Sequence, residues 1–325
     1  MVFFITFLRA IAACLITNAH YSNIYPISSI ASGGLIGDVL FFAVSGYCLY
    51  NVKQSFPRWY GKRLWRVFLP VIIGTAVILL IGGYDFSAMP WYRWFIYPTY
   101  YHFVASIIVL YIPFYFIARS KLLREHIPHI MIGIAVLMLI IYFVWYDKSY
   151  YHIDNVREPF IRLLFMECML LGAYFKRNTE RYHNSFSWHI IPLLLISIIA
   201  YFVTKIVFSR VASLVWFQIL NQTSIFILLY FVFRLFCGID HILEKLPKPI
   251  SKIISYIADI TLEIYIVQYA IIAALESIFV FPLNWLVVTA SIVIAASILH
   301  IVCKLIYKAV DVTISKTKLA LKKRG

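Results

Sequence analysis

MVFFITFLRAIAACLITNAHY, residues 1–21, is an almost unbroken apolar stretch interrupted by one arginine, Arg9, and one histidine, His20. Read as a helix at about 100° per residue, the steps from Arg9 to His20 turn about 1100°, three full turns plus roughly 20°, so both side chains share one stripe. At a rise of about 1.5 Å per residue their Cα atoms stand about 16 Å apart, roughly half the thickness of a bilayer core. An arginine inside such a helix is costly unless it meets protein, water or a ligand. The stripe is therefore expected to face inward, away from lipid.

The rest of the chain extends this reading. Of its 325 residues 63% are hydrophobic and 13% charged, with a mean hydropathy of +0.86, which excludes a soluble globular protein. Apolar runs measured against a span of about 20 residues predict an all-α polytopic membrane protein of about ten transmembrane helices. They fall near 2–21, 33–51, 66–83, 99–118, 127–146, 159–175, 187–206, 212–236, 250–277 and 283–308. One membrane domain over 1–312 and a basic cytoplasmic tail at 313–325 account for the whole length. The first helix has no basic segment before it and no small-residue cleavage site, so it is expected to be retained. Cys14, Cys48, Cys168, Cys237 and Cys303 lie in or beside apolar runs without paired spacing and read as small core residues.

A net charge of +15 would suit nucleic acid if it formed one patch, but the cations alternate between loops, so no nucleic-acid partner is expected. Loops 51–66, 119–126, 175–186 and 234–252 and the tail are rich in Lys and Arg, whereas the intervening loops hold only Arg93, Lys148, Arg157, Lys205 and Arg210. The positive-inside rule then places both termini in the cytoplasm. Arg9 falls in the cytoplasmic half of the first helix and His20 at its external end. Trp91, Tyr92, Trp94 and the run from Tyr97 to Tyr101 mark an outer interface.

Several residues can carry chemistry. A lone histidine at a helix end is commonly a packed interfacial residue, but an ionisable pair on one face marks a pathway or site, and imidazole can take a proton from a hydroxyl near neutral pH. Ser45-Gly46, in the second helix after Asp38, either lets another helix approach closely or leaves room for a ligand beside Ser45. Arg63 and Arg66, at i and i+3, can grip phosphates, although a basic loop is also what orientation demands. Glu167, Glu263 and Glu276 need a partner inside the membrane, with Arg162, Arg9 or a proton as the options. His126 and His129 lack a third ligand, so no metal is expected.

Taken together, Arg9 with ten residues to His20, the FFxxSG segment Phe41–Gly46, the pair Arg63 and Arg66 followed by Pro70, and Thr261-Leu262-Glu263-Ile264-Tyr265-Ile266-Val267-Gln268 resemble the acyltransferase-3 family. These are bacterial membrane acyltransferases that include O-antigen and peptidoglycan O-acetylases, and Tyr101-His102-Phe103 is similar to their fourth-helix start. Gln268 stands where the family often has histidine and Thr261 where it has serine, so that segment is given no proton-transfer role.

The resemblance implies a multi-pass enzyme of the bacterial inner (cytoplasmic) membrane with no bound cofactor. It implies acyl-CoA, most simply acetyl-CoA, as cytoplasmic donor and a hydroxyl of a surface or lipid-linked glycan as acceptor, with succinyl carried by some members. On this reading His20 is the general base and Arg9 positions the donor. Arg63, Arg66, Ser45 and Gly46 bind the donor, while Asp38, His102, Glu167 and Tyr265 support the site. A transporter or flippase of lipid-linked sugars is the rival class and predicts discontinuous helices at matching places in two halves. A scaffold whose polar residues only tie helices together is a third.

Overall fold

The computed structural model describes residues 2–322, with side chains through 312. The expected tail at 313–325 therefore lies outside the residues whose side chains are described. Every expected apolar run forms a helix, and no strand occurs among the described residues. The principal helices are α1 (Phe3–Asn18), α2 (Gly34–Leu49), α3 (Phe56–Leu80), α4 (His102–Arg119), α5 (Ile127–Val144) and α6 (Ile161–Arg177). They continue with α7 (Ile190–Arg210), α8 (Ile219–Gly238), α9 (Lys248–Asp259), α10 (Thr261–Leu275) and α11 (Leu283–Lys322).

By length and composition seven of the described helices can cross a membrane, or eight if α9 and α10 form one broken span. The difference from about ten is physical. α1 has 16 residues and α6 has 17, because the apolar runs spill into the turns that flank them. At about 1.5 Å per residue such helices reach only about 25 Å, short of a core of about 30 Å. Both sit inside the protein, where α2 packs against α1 on one side and α6 on another.

Three departures position the site. α3 begins at Phe56, with Pro57 in its first turn where a missing N–H costs nothing, so Arg63 and Arg66 lie in a helix and not in a loop. The run expected at 250–277 is bent by 73° where α9 meets α10. The third is the crossing of α2 and α6. An added Cβ at Gly46 would collide with the Met169 carbonyl, and one at Gly172 with the Ala43 carbonyl. Only glycine allows backbones this close.

α1 is fixed at both ends. The Phe4 N–H donates to Asp240 Oδ1 at 2.6 Å, and the Thr17 hydroxyl donates to Gln268 Oε1 of α10 at 2.8 Å. Asp240 is fully buried and its Oδ2 also meets His183 Nε2 at 2.8 Å, so both carboxylate oxygens have a hydrogen-bond partner.

Candidate functional site

Two polar cavities meet at the first turn of α4. The first, of about 250 Å³, is walled by α1, α2, α3, α4 and α10 and receives Arg9, Ser45, Cys48, Arg63, Thr261 and Tyr265. Four residues expected at the site from sequence, Arg9, Ser45, Arg63 and Tyr265, thus come from four different helices to one space. Two guanidiniums and the starting turn of α10 give this cavity a positive field. Arg63 lies over the Trp59 ring at 5.8 Å, and its buried Nε has no hydrogen-bond partner in the protein.

Gly46 and Arg66 do not line this cavity. Gly46 faces α6, so of the two readings of Ser45-Gly46 the close helix approach applies to the glycine, while the serine reaches the cavity. Arg66 is exposed beside α11, its carbonyl accepting from the Tyr307 hydroxyl at 3.2 Å. Side chains at i and i+3 diverge by about 60° around a helix, enough to part them here.

The second cavity, of about 340 Å³, lies on the other side of the α4 turn and is lined by His102, Tyr100, Arg93, Arg157 and Arg162 among others. His102 and Phe103 are consecutive, one in each cavity. Between the two spaces stands an aromatic wall. The Phe103 ring lies 5.5 Å from Phe41 and 5.0 Å from Phe42, which stacks on Phe165 at 4.2 Å.

Polar contacts thread this partition. His102 Nε2 lies 3.6 Å from Asp38 Oδ2, and both side chains are largely buried. The Tyr265 hydroxyl accepts from the Phe103 N–H at 3.2 Å and lies 3.5 Å from His102 Nδ1. His20 follows α1 in a turn, its ring 4.3 Å from Tyr269, within electrostatic reach of His102 and Asp38. Tyr269 in turn lies 6.0 Å from Tyr100 of the second cavity. α1 ends at Asn18, so the stripe expected along it stops short of His20: Arg9 reaches the first cavity, while His20, in the turn beyond, lines neither cavity and packs on Tyr269. This arrangement can hold an electrophile on one side and a hydroxyl on the other, with imidazoles at the junction.

Two of the glutamates have partners other than the expected arginines. Glu263 meets His300 Nδ1 of α11 at 2.9 Å, and Glu276 accepts from Asn23 at 3.1 Å. Glu167, expected to support the site, lines an apolar groove of about 600 Å³ between α5, α6 and α8, away from both cavities. Its Oε1 is buried without a partner. Neither Arg9 nor Arg162 pairs with a described carboxylate. Cys48, Arg93 and Arg157 were not singled out by sequence. The cysteine was readable, since it stands three residues after Ser45 on the same helix, but the two arginines converge only through tertiary packing.

No curated protein and no solved structure matches the chain. A family model described as an acyltransferase domain matches residues 2–304, nearly its whole length. With the helical architecture and the residues from α1 to α10 assembled in one place, the chain belongs to the acyltransferase-3 family of membrane acyltransferases.

Proposed function

We propose that the protein moves an acyl group, most simply acetyl, from cytoplasmic acyl-CoA to a hydroxyl of a surface or lipid-linked glycan on the far side of the bacterial inner membrane. The observation that carries this reading is the pair of polar cavities separated by one turn of α4, with fixed cations in both. Loop charges orient the bundle so that the first cavity opens toward the cytoplasm. At about 250 Å³ it suits the acyl-thioester arm of the donor and not the whole coenzyme. The nucleotide then lies over the basic residues at the start of α3.

In the reaction His20 takes the proton from the acceptor hydroxyl, whose oxygen attacks the thioester carbonyl. The C–S bond breaks, the ester forms and coenzyme A leaves as the thiolate, which is then protonated. Arg9 and the start of α10 oppose the charge that develops on the carbonyl oxygen. A second reading makes His102 the base with Asp38 orienting it, favoured by the fact that His102 lines the second cavity.

Labelled acetyl-CoA added to inside-out and right-side-out vesicles tests the function. Label is expected on glycan only where the donor reaches the cytoplasmic face. Glycan movement without label would support the transporter reading. That reading predicts paired discontinuous helices, and among the described residues one helix pair, α9 and α10, is broken.

The geometry also separates the two arginines of α3. Arg63→Ala is expected to raise the KM for the acyl donor by about 10–100-fold, the worth of a charge-assisted hydrogen bond. Arg66→Ala is expected to change it less than about threefold. Cys48 is exposed within the same cavity, so saturating donor should slow its alkylation by a maleimide while leaving exposed Cys14 unprotected. Equal effects of the two alanines, or unchanged labelling of Cys48, would remove the donor from this cavity.

A further inference from the structure

We propose that the second cavity binds an oxyanion of the acceptor, so that the glycan acylated carries a carboxylate or a phosphate close to the reacting hydroxyl. This rests on the acyl-transfer reading above and deepens it. The argument begins with where the cations of this end of the bundle lie. The loops here are poor in Lys and Arg, and those they have are used in distinct ways. Lys148 is engaged by the carbonyls of Tyr142 and Tyr146 at 3.0 and 2.7 Å. Lys205 pairs with Asp154 at 2.9 Å. Arg210 is exposed at the end of α7. Arg93, from one connection, and Arg157 and Arg162, from the stretch that leads into α6, line one cavity of about 340 Å³.

None of these three forms an ion pair with a described carboxylate. Glu158, beside Arg157 in sequence, is turned to His152 at 3.7 Å and accepts from the Tyr146 hydroxyl at 3.2 Å. Asp38 faces His102. Arg162 Nη2 donates to the Tyr97 hydroxyl at 2.5 Å, a contact that orients the guanidinium without neutralising it. Three like charges held around one small space repel one another, and the arrangement is stabilised when an anion enters. Arginine presents a planar fork that grips two oxygens at once, which suits carboxylate and phosphate alike.

The cavity also contains His102, one residue from the Phe103 wall of the donor cavity. An anion held by the arginines thus places its own sugar next to the partition, which makes the arginines determinants of which glycan is acylated. Two sources of this chemistry exist: a uronic acid within the glycan, and the diphosphate that joins a neutral glycan to a polyprenyl lipid.

The test is equilibrium binding to the full-length protein in nanodiscs, without acyl donor, so that it stands apart from the transfer reaction. Three probes are compared: an oligosaccharide containing glucuronate, a polyprenyl-diphosphate-linked neutral oligosaccharide, and the free neutral oligosaccharide. One of the two anionic probes is expected to bind at least tenfold more tightly than the neutral one, and which of them does so names the source. That preference should shrink to less than threefold in Arg93→Gln with Arg157→Gln, whose exposed side chains can be changed with the unfolding midpoint retained, and should weaken with salt. Equal binding of all three probes, binding of none, or a preference untouched by the double variant would overturn the proposal. Anion binding without acyl transfer would retain the site and discard the acyltransferase assignment of its use.

Discussion

His20→Ala is expected to lower kcat for acyl transfer by about 10²–10⁴-fold, the usual contribution of a positioned general base, with the KM for the donor unchanged. The imidazole lies beyond the end of α1, packed on Tyr269, and takes no part in the bonds that anchor that helix. Its removal should leave the bundle standing, which an unchanged unfolding midpoint would verify. His102→Ala is expected to act differently. Its ring lines the second cavity and leans on Asp38, so the loss should fall mainly on the KM for the acceptor, with kcat reduced about tenfold. The reverse ranking of the two variants would transfer the base to the His102–Asp38 pair. Activity near wild type in both, at equal protein level, would remove imidazole from the chemistry altogether.

The largest structural effect is expected at Gly172. A valine there meets the Ala43 carbonyl, and the mirror contact of Gly46 with the Met169 carbonyl leaves the two helices no direction in which to slide. Backbone cannot rotate away as a side chain can, so the cost should reach or exceed about 3 kcal/mol. α2 carries Asp38, Ser45 and Cys48 and α6 carries Arg162, so parting them dismantles both cavities at once. Gly172→Val should yield little monodisperse protein in detergent, and Gly172→Ala a clearly lowered unfolding midpoint. Gly61→Ala and Gly133→Ala are the controls. Nothing lies within 4 Å of a Cβ at either position, and alanine favours a helix, so their midpoints should equal or exceed that of the unsubstituted protein. A Gly172→Ala protein as stable as these controls would refute the tight crossing.

Part of the candidate site is legible where it is written in local pattern. An arginine in an apolar helix must face protein, and Arg9 does, but the helical spacing that joined it to His20 fails because α1 ends at Asn18. Ser45 stands out as a polar residue in an apolar run and Arg63 as half of an i, i+3 pair, while Tyr265 enters through the resemblance of its segment. What pattern could not show depends on which faces meet. Gly46 and Ser45 are neighbours in sequence and point to different helices, so one word of the motif serves packing and the next the cavity. Glu263 finds His300 through the antiparallel return of α11, which no spacing within α10 reveals. The bend after Asp259 has no proline or glycine at the break to announce it. Arg93 and Arg157 read as ordinary loop cations, and Arg162 as a partner for a buried glutamate, until the fold gathers them.

The packed rings of Phe41, Phe42, Phe103 and Phe165 have a bioenergetic consequence. A protein that passes a group from one side of an energised membrane to the other risks short-circuiting it, because water reaching from both faces would carry protons down their gradient. Rings in van der Waals contact exclude such a water file, and His102 and Tyr265 meet at the edge of the wall as a polar crossing. On the proposed reading an acyl group can be relayed there without opening a conductive pore, and the host membrane keeps its voltage through each turnover.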